Sequence, residues 1–137
     1  MTKEEIQKEK ELLLNVLKDG LPYGLQLQIT DVNEFTFNGE LRVLSKNWCR
    51  LNIADIVKRG KVKNQTIPLN YIYIKPYLRS MSNMTEEERN EYEHFIAFSG
   101  NPTSSANLID WLNAHHFDYR GLIPMGLAID ATGLNIY

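Results

Sequence analysis

A mixed α+β fold follows from three observations. A run of good helix formers opens the chain, short alternating or β-rich segments fill its middle, and a capping box starts a helical remainder. The expected architecture is an N-terminal helix, a small antiparallel sheet or SH3-like partial barrel built from residues 23–74, and a C-terminal helical pair with an irregular tail packed on it. At 137 residues the chain fits one domain made of two lobes, a helix plus basic β-rich lobe over 1–79 and an acidic helical lobe over 80–137.

Residues 2–18 are rich in Glu, Lys, Gln and Leu, and Gly20 supplies a stop. Ile6, Leu13 and Leu17 recur near the 3.6-residue period, and Leu12 with Val16 widens the stripe only in the second half, so the last two turns are expected to dock and the first two to stay exposed. Leu25 to Ile29 alternates strictly, the pattern of a half-buried strand. Asn38-Gly39 is the strongest hairpin signal in the chain. A three-residue loop or a bulge there keeps Phe35 and Phe37 on one face with Leu41 and Val43, because a one-residue slip reverses the faces.

Trp48 to Ile53 predicts another strand. Asp55 to Arg59 predicts a helical turn ended by Gly60, and Lys61 to Gln65 an exposed loop. Thr66 to Leu69 and Tyr71 to Ile74 have strand composition, with Pro68 confining the first to an edge or a strand end. Pro76 then disfavours helix at Lys75, and Thr85 with Glu88 three residues on forms a capping box. One helix is expected from Thr85 to about Phe98, with Tyr92, Phe95 and Ile96 inward. A second, capped by Ser104 or Ser105, carries Leu108, Ile109, Trp111 and Leu112, and the short connection predicts an antiparallel pair. Gly121, Pro124 and Gly126 break up the tail, and 133–137 reads as a loose end or an added edge strand.

Charge is uneven although the net value is only −2. Residues 42–79 carry nine basic side chains against Asp55 alone, a local +8, while 1–41 stand at −4 and 80–137 at −6. The single cysteine excludes an internal disulfide and argues against a cysteine zinc knuckle. The charged N-terminus lacks the apolar core of a signal peptide, and no apolar run approaches the ~20 residues that span a bilayer, so a cytoplasmic, membrane-free protein is expected.

The run Lys75-Pro76-Tyr77-Leu78-Arg79-Ser80-Met81-Ser82-Asn83-Met84-Thr85-Glu86-Glu87-Glu88 resembles a segment of small proteins carried by prophages and mobile elements of Bacteroides-type bacteria. The run from Ile109-Asp110-Trp111 through Ala114-His115-His116-Phe117-Asp118-Tyr119-Arg120-Gly121 to Ile123, followed by Gly126-Leu127-Ala128, is similar to the same group, as is Leu21-Pro22-Tyr23-Gly24. The resemblance implies a phage-related context and a shared fold; it brings no activity and no site residues.

The residues themselves offer two binding readings. A nucleic-acid face would use Arg50, Lys58, Arg59, Lys61, Lys63, Lys75 and Arg79 on phosphates, with Tyr71 or Tyr73 stacking bases. Against it, the same basic lobe can lie on the acidic helices, and a pI near 5.9 opposes strong non-specific binding. A protein-contact face, including contact with a second copy, would use Trp111, Phe117, Tyr119 and Arg120 as an exposed apolar patch. Asp118 to Gly121 also reads as a turn locked by an Asp–Arg pair, with Gly121 at positive φ.

Catalytic and cofactor chemistry finds no motif. His115 and His116 point about 100° apart on a helix and so cannot share a metal as an i, i+4 pair would. Cys49 has no assignable base, the serines are explained by turns and caps, and no glycine-rich phosphate loop is present. The expectation is a non-enzymatic accessory protein with no cofactor and no metal, acting by protein–protein binding or assembly, with a nucleic-acid-binding module using the basic face of residues 42–79 as the alternative and an uncharacterised enzyme as the third.

Overall fold

The computed structural model describes residues 2–30, 36–45, 48–53, 63–68, 73–97 and 102–137. The chain is α+β and divides into two compact units, Met1–Tyr77 and Leu78–Tyr137.

The first unit opens with α1 (Lys3–Gly20), started by a capping box in which Thr2 accepts from the Glu5 N–H and Glu5 accepts from the Thr2 N–H. Val16 and Leu17 are buried and Ile6 is exposed, so the helix docks by its second half. Gly20 does not end this helix by turning left-handed, since its φ is −84°. It is needed because a Cβ there would stand 2.7 Å from Leu25 Cδ2 and 2.9 Å from Leu25 Cβ. The left-handed position is Gly24, φ 69°, after a single 3₁₀ turn at Leu21–Tyr23.

Gly20→Ala is therefore expected to cost about 1 kcal/mol. Overpacking against Leu25 costs about 1–3 kcal/mol, and helix propensity returns about 1. A urea midpoint lowered at unchanged m-value would show it. A raised midpoint would mean that Leu25 simply moves aside.

Five strands follow: β1 (Gln26–Thr30), β2 (Thr36–Leu44), β3 (Trp48–Ile53), β4 (Lys63–Pro68) and β5 (Tyr73–Leu78). Their order is β4-β3-β2-β1-β5, an antiparallel meander with the last strand returned to the outer side of β1. One face buries Leu25, Leu27, Ile29, Leu41, Ile74 and Pro76. Burying each Leu or Ile contributes about 1.5–3 kcal/mol, so this layer is the main stabilising element of the unit. The opposite face is polar, with Gln28 donating to the Tyr77 hydroxyl (3.3 Å) and that hydroxyl donating to Asn38 Oδ1 (2.7 Å).

Three local expectations are corrected. Asn38-Gly39 is not a hairpin turn: Gly39 pairs with Leu27 on one side and Ile53 on the other, in the middle of β2. Ladder bonds to two neighbours, together with the Tyr77 bond to Asn38, override the turn preference of the pair. The irregularity expected there instead lies at Arg42, where the β2–β3 register shifts between Leu41 and Val43. Lys63 to Gln65, read as loop, belong to β4, whose full-length pairing with β3 outweighs their polar composition. Pro76 sits inside β5 opposite Leu27, with Lys75 extended as expected of the residue before a proline. Pro68, as expected, closes a strand at an edge. The Asp55 to Arg59 turn lies outside the described residues.

In the second unit, α2 (Glu86–Ala97) follows the expected Thr85/Glu88 capping box, with the Glu88 N–H donating to Thr85 Oγ1 (3.1 Å) and the Thr85 N–H to Glu88 Oε1 (3.0 Å). The next helix, α3 (Pro102–Ala114), starts two to three residues before the expected serine caps, with Pro102 at its first position, where no N–H is required. Contacts run from Glu88 with His115 to Phe95 with Trp111, the order of an antiparallel pair. The buried residues are Leu78, Leu112, Phe117, Asp118, Leu122, Ala128 and Ala131. A two-residue strand, β6 (Ile129–Asp130), precedes Ala131, whose N–H donates to the Leu78 carbonyl (2.8 Å). Residues 132–137 are exposed without strand pairing.

Candidate functional site

The second unit is organised around Arg79. Its backbone is gripped by the segment after α3: its N–H donates to the His116 carbonyl (2.7 Å), and its carbonyl accepts from the Asp118 N–H (2.8 Å). Its guanidinium makes a two-pronged bond to Glu88, 2.7 Å on each arm, and lies 4.3 Å over the Phe117 ring. The Arg79 side chain is 20% exposed and that of Glu88 13%. Hydrogen bonds from Arg79 are the main reason that the Glu88 carboxyl falls from about 4.5 to about 2, Thr85 and the Arg79 charge helping and burial opposing. One carboxylate thus caps α2 and ties it to the strand end.

Residues 115–118 follow the exit of α3. The His116 N–H donates to the Asn113 carbonyl and the Phe117 N–H to the Leu112 carbonyl, a Schellman closure with His116 left-handed at φ 61°. That leaves the Asp118 carboxylate buried, accepting from the N–H groups of Leu122 (2.7 Å) and Ile123 (2.9 Å). Gly121 takes the expected positive φ, 77°. The turn is held by these carboxylate-to-backbone bonds.

Aromatic side chains gather where α2 meets α3. Trp111 stands 6.3 Å from Tyr92, 6.0 Å from Phe95, 4.4 Å from His115 and 5.7 Å from Phe117, centroid to centroid. His115 donates from Nδ1 to the Trp111 carbonyl (2.8 Å), an acceptor that fixes the proton on that nitrogen. The inner end of this cluster is sealed, since Phe117 is 2% exposed. The outer end opens as a cleft of about 410 Å³ lined by Asn90, Glu91, His94, Phe95 and Trp111. No residue of α2 is buried, and Ile96, next to Phe95, is 46% exposed. Glu91 is held in the cleft wall by the indole N–H of Trp111, which donates to Oε2 at 2.7 Å. A second cleft, about 440 Å³, runs from Arg79, Asn83 and Glu88 to Gly133 and Tyr137, with the Tyr137 ring stacked 3.6 Å from His116.

The residues expected to contact a protein separate accordingly. Trp111 lines the open cleft, whereas Phe117 is not on the surface at all. Tyr119 is half-buried, its hydroxyl donating to Asn113 Oδ1 (2.9 Å), and the Arg120 guanidinium lies 5.2 Å over the Tyr119 ring. Phe95 and Glu91 were missed as site residues; the signal was the row Glu87, Glu91, Phe95 at four-residue spacing, one ridge of α2.

The residues expected to contact nucleic acid do not form a patch among those described. Arg79 is taken up by Glu88 and Phe117. Arg50 and Lys75 are exposed on the polar face of the sheet, on β3 and β5, three strand spacings apart across it and offset along it, Lys75 level with Asn38 of β2 and Arg50 with Val43. Glu40 lies on the same face, bonded to Arg42 at 3.2 Å. Lys63 and Tyr73 fall on β4 and β5, and Lys58, Arg59, Lys61 and Tyr71 lie outside the described residues.

Among the described residues no group of three His, Cys, Asp or Glu side chains could hold a metal, and no helix is long and apolar enough to cross a membrane. Cys49 is fully buried, and burial pushes its thiol up to about 11. No protein-family model matches the chain, and neither the curated proteins nor the solved structures give a significant match.

Proposed function

We propose that this chain is a non-enzymatic accessory protein that works by protein–protein contact, with the α2–α3 cleft as its docking face. The observation that carries the reading is an apolar, aromatic-walled cleft on a helix that buries none of its own residues. Aromatic anchors in a partly desolvated pocket are the usual centres of binding energy at protein interfaces. The resemblance of the 75–88 and 109–123 runs to prophage and mobile-element proteins supports a phage-related, cytoplasmic setting.

The test is capture of partners on the tagged chain after nuclease treatment, at about 0.5 M salt, where exposed charge attraction is strongly screened. A protein that is retained by the native chain and lost from Phe95→Asp is the expected result. In a parallel capture without nuclease at about 0.1 M salt, nucleic acid that is retained equally by Phe95→Asp and lost from the Arg50→Glu/Lys75→Glu variant would replace this reading with the nucleic-acid one.

A further inference from the structure

We infer that the cleft takes a cationic amphipathic segment of a partner protein, one apolar side chain entering against Phe95 and Trp111 and a Lys or Arg meeting Glu91. The inference rests on the docking reading above and adds the chemistry of the occupant.

The cleft supplies both halves of that recognition. Phe95 and Trp111 provide the apolar wall. Glu91 is exposed yet fixed, because the indole N–H already holds one of its oxygens. A carboxylate holding that geometry beforehand loses less freedom when a cation arrives. The charge around it has one sign. Glu87 lies one turn before Glu91 on the same ridge, and exposed Asp110 is next to Trp111 on α3, which has no Lys or Arg. Arg89, the only Lys or Arg on α2, is two positions from Glu91 and so about 200° around the helix, facing away. His94 is the remaining group of the cleft that can carry positive charge. An acidic rim around an aromatic floor selects a basic segment with an apolar anchor over a neutral or acidic one.

Two model peptides test this, each of about 18 residues or five helical turns, one patterned from Leu and Lys and the other from Leu and Glu. They are titrated into the full-length, nitrogen-15-labelled protein while the Trp111 indole N–H signal is followed. The Leu/Lys peptide is expected to shift that signal, and the Leu/Glu peptide to leave it in place. Glu91→Gln, which keeps an acceptor for the indole, should weaken the Leu/Lys peptide about three- to fivefold, the scale of one exposed charge pair. Phe95→Ala should abolish binding. Asn90→Lys, at an exposed position on the cleft edge, should weaken the Leu/Lys peptide without disturbing the core.

Equal affinity for the two peptides, with both lost in Phe95→Ala, would overturn the cationic occupant and leave the docking face standing. Silence of the Trp111 signal to both peptides would overturn the inference and the docking reading together. Leu/Lys binding unchanged in both Phe95→Ala and Asn90→Lys would place it elsewhere on the acidic surface and overturn the inference. A Trp111 shift that follows protein concentration without peptide would make a second copy of this chain the occupant instead.

Discussion

Arg79→Met is expected to destabilise the second unit by about 3 kcal/mol, the scale for breaking a largely buried ion pair by removing one partner. Methionine keeps much of the aliphatic stem but leaves the Glu88 carboxylate, 13% exposed, without its two 2.7 Å donors. It also uncovers the Phe117 ring that the guanidinium covers at 4.3 Å. Arg79→Lys should recover less than half of the loss, because one ammonium cannot bond both carboxylate oxygens and lie flat on a ring. Urea unfolding followed by tryptophan emission measures both variants. A loss below about 0.5 kcal/mol in Arg79→Met, the level of an ordinary surface site, would show that the pair adds nothing to stability.

The same pair sets an acid dependence. Glu88 is held at about 2, below its ordinary 4.5, so its pairing stabilises the folded state fully above pH 4.5. That contribution is lost as pH falls from 4.5 towards 2. In Arg79→Met the Glu88 carboxyl should return towards 4.5, and this part of the acid transition should flatten. An unaltered acid transition in the variant would assign the effect to other carboxylates.

Asp118→Ala is expected to cost about 2–4 kcal/mol. The carboxylate is buried at 8% exposure and is the acceptor for two backbone N–H groups, and each buried donor left unmet costs about 1–3 kcal/mol. Asp118→Asn should cost less, about 2 kcal/mol, since one amide oxygen still accepts while the NH₂ confronts the other N–H donor. Hydrogen exchange at Leu122 and Ile123 reads the effect locally: both amides should lose protection in the alanine variant, and in the asparagine variant one of them should lose more than the other. Retained protection at both in Asp118→Ala would mean that the turn is held by packing of Leu122 alone.

These two residues show what the sequence made legible. The start of α2 was readable because a capping box is a local chemical device: Thr85 and Glu88 form their reciprocal bonds as expected. The strand from Trp48 to Ile53 was readable because composition and pairing agree there. Asn38-Gly39 misled because turn chemistry is a local preference, while β2 is fixed by two neighbours, one of them beginning nine residues further on. The role of Gly20 was misassigned for a related reason, since its contact is with a particular atom of Leu25 and not with a class of residue. Arg79 was read as part of a basic face because charge counted along a chain ignores which carboxylate folds against it. The cleft was half legible: Trp111 stood out as an aromatic on a helix, while Glu91 gains meaning only from the indole that holds it.

The buried state of Cys49 has a practical consequence for this chain. A thiol with its pKa near 11 and no solvent contact presents almost no thiolate near neutral pH, so maleimides and other soft electrophiles should pass it by while the sheet is folded. A cysteine introduced at an exposed position such as Ile96 would then be the single reactive handle of an otherwise native protein. Dyes, spin labels or photo-crosslinkers could be attached beside the cleft with no need to remove the native sulfur first.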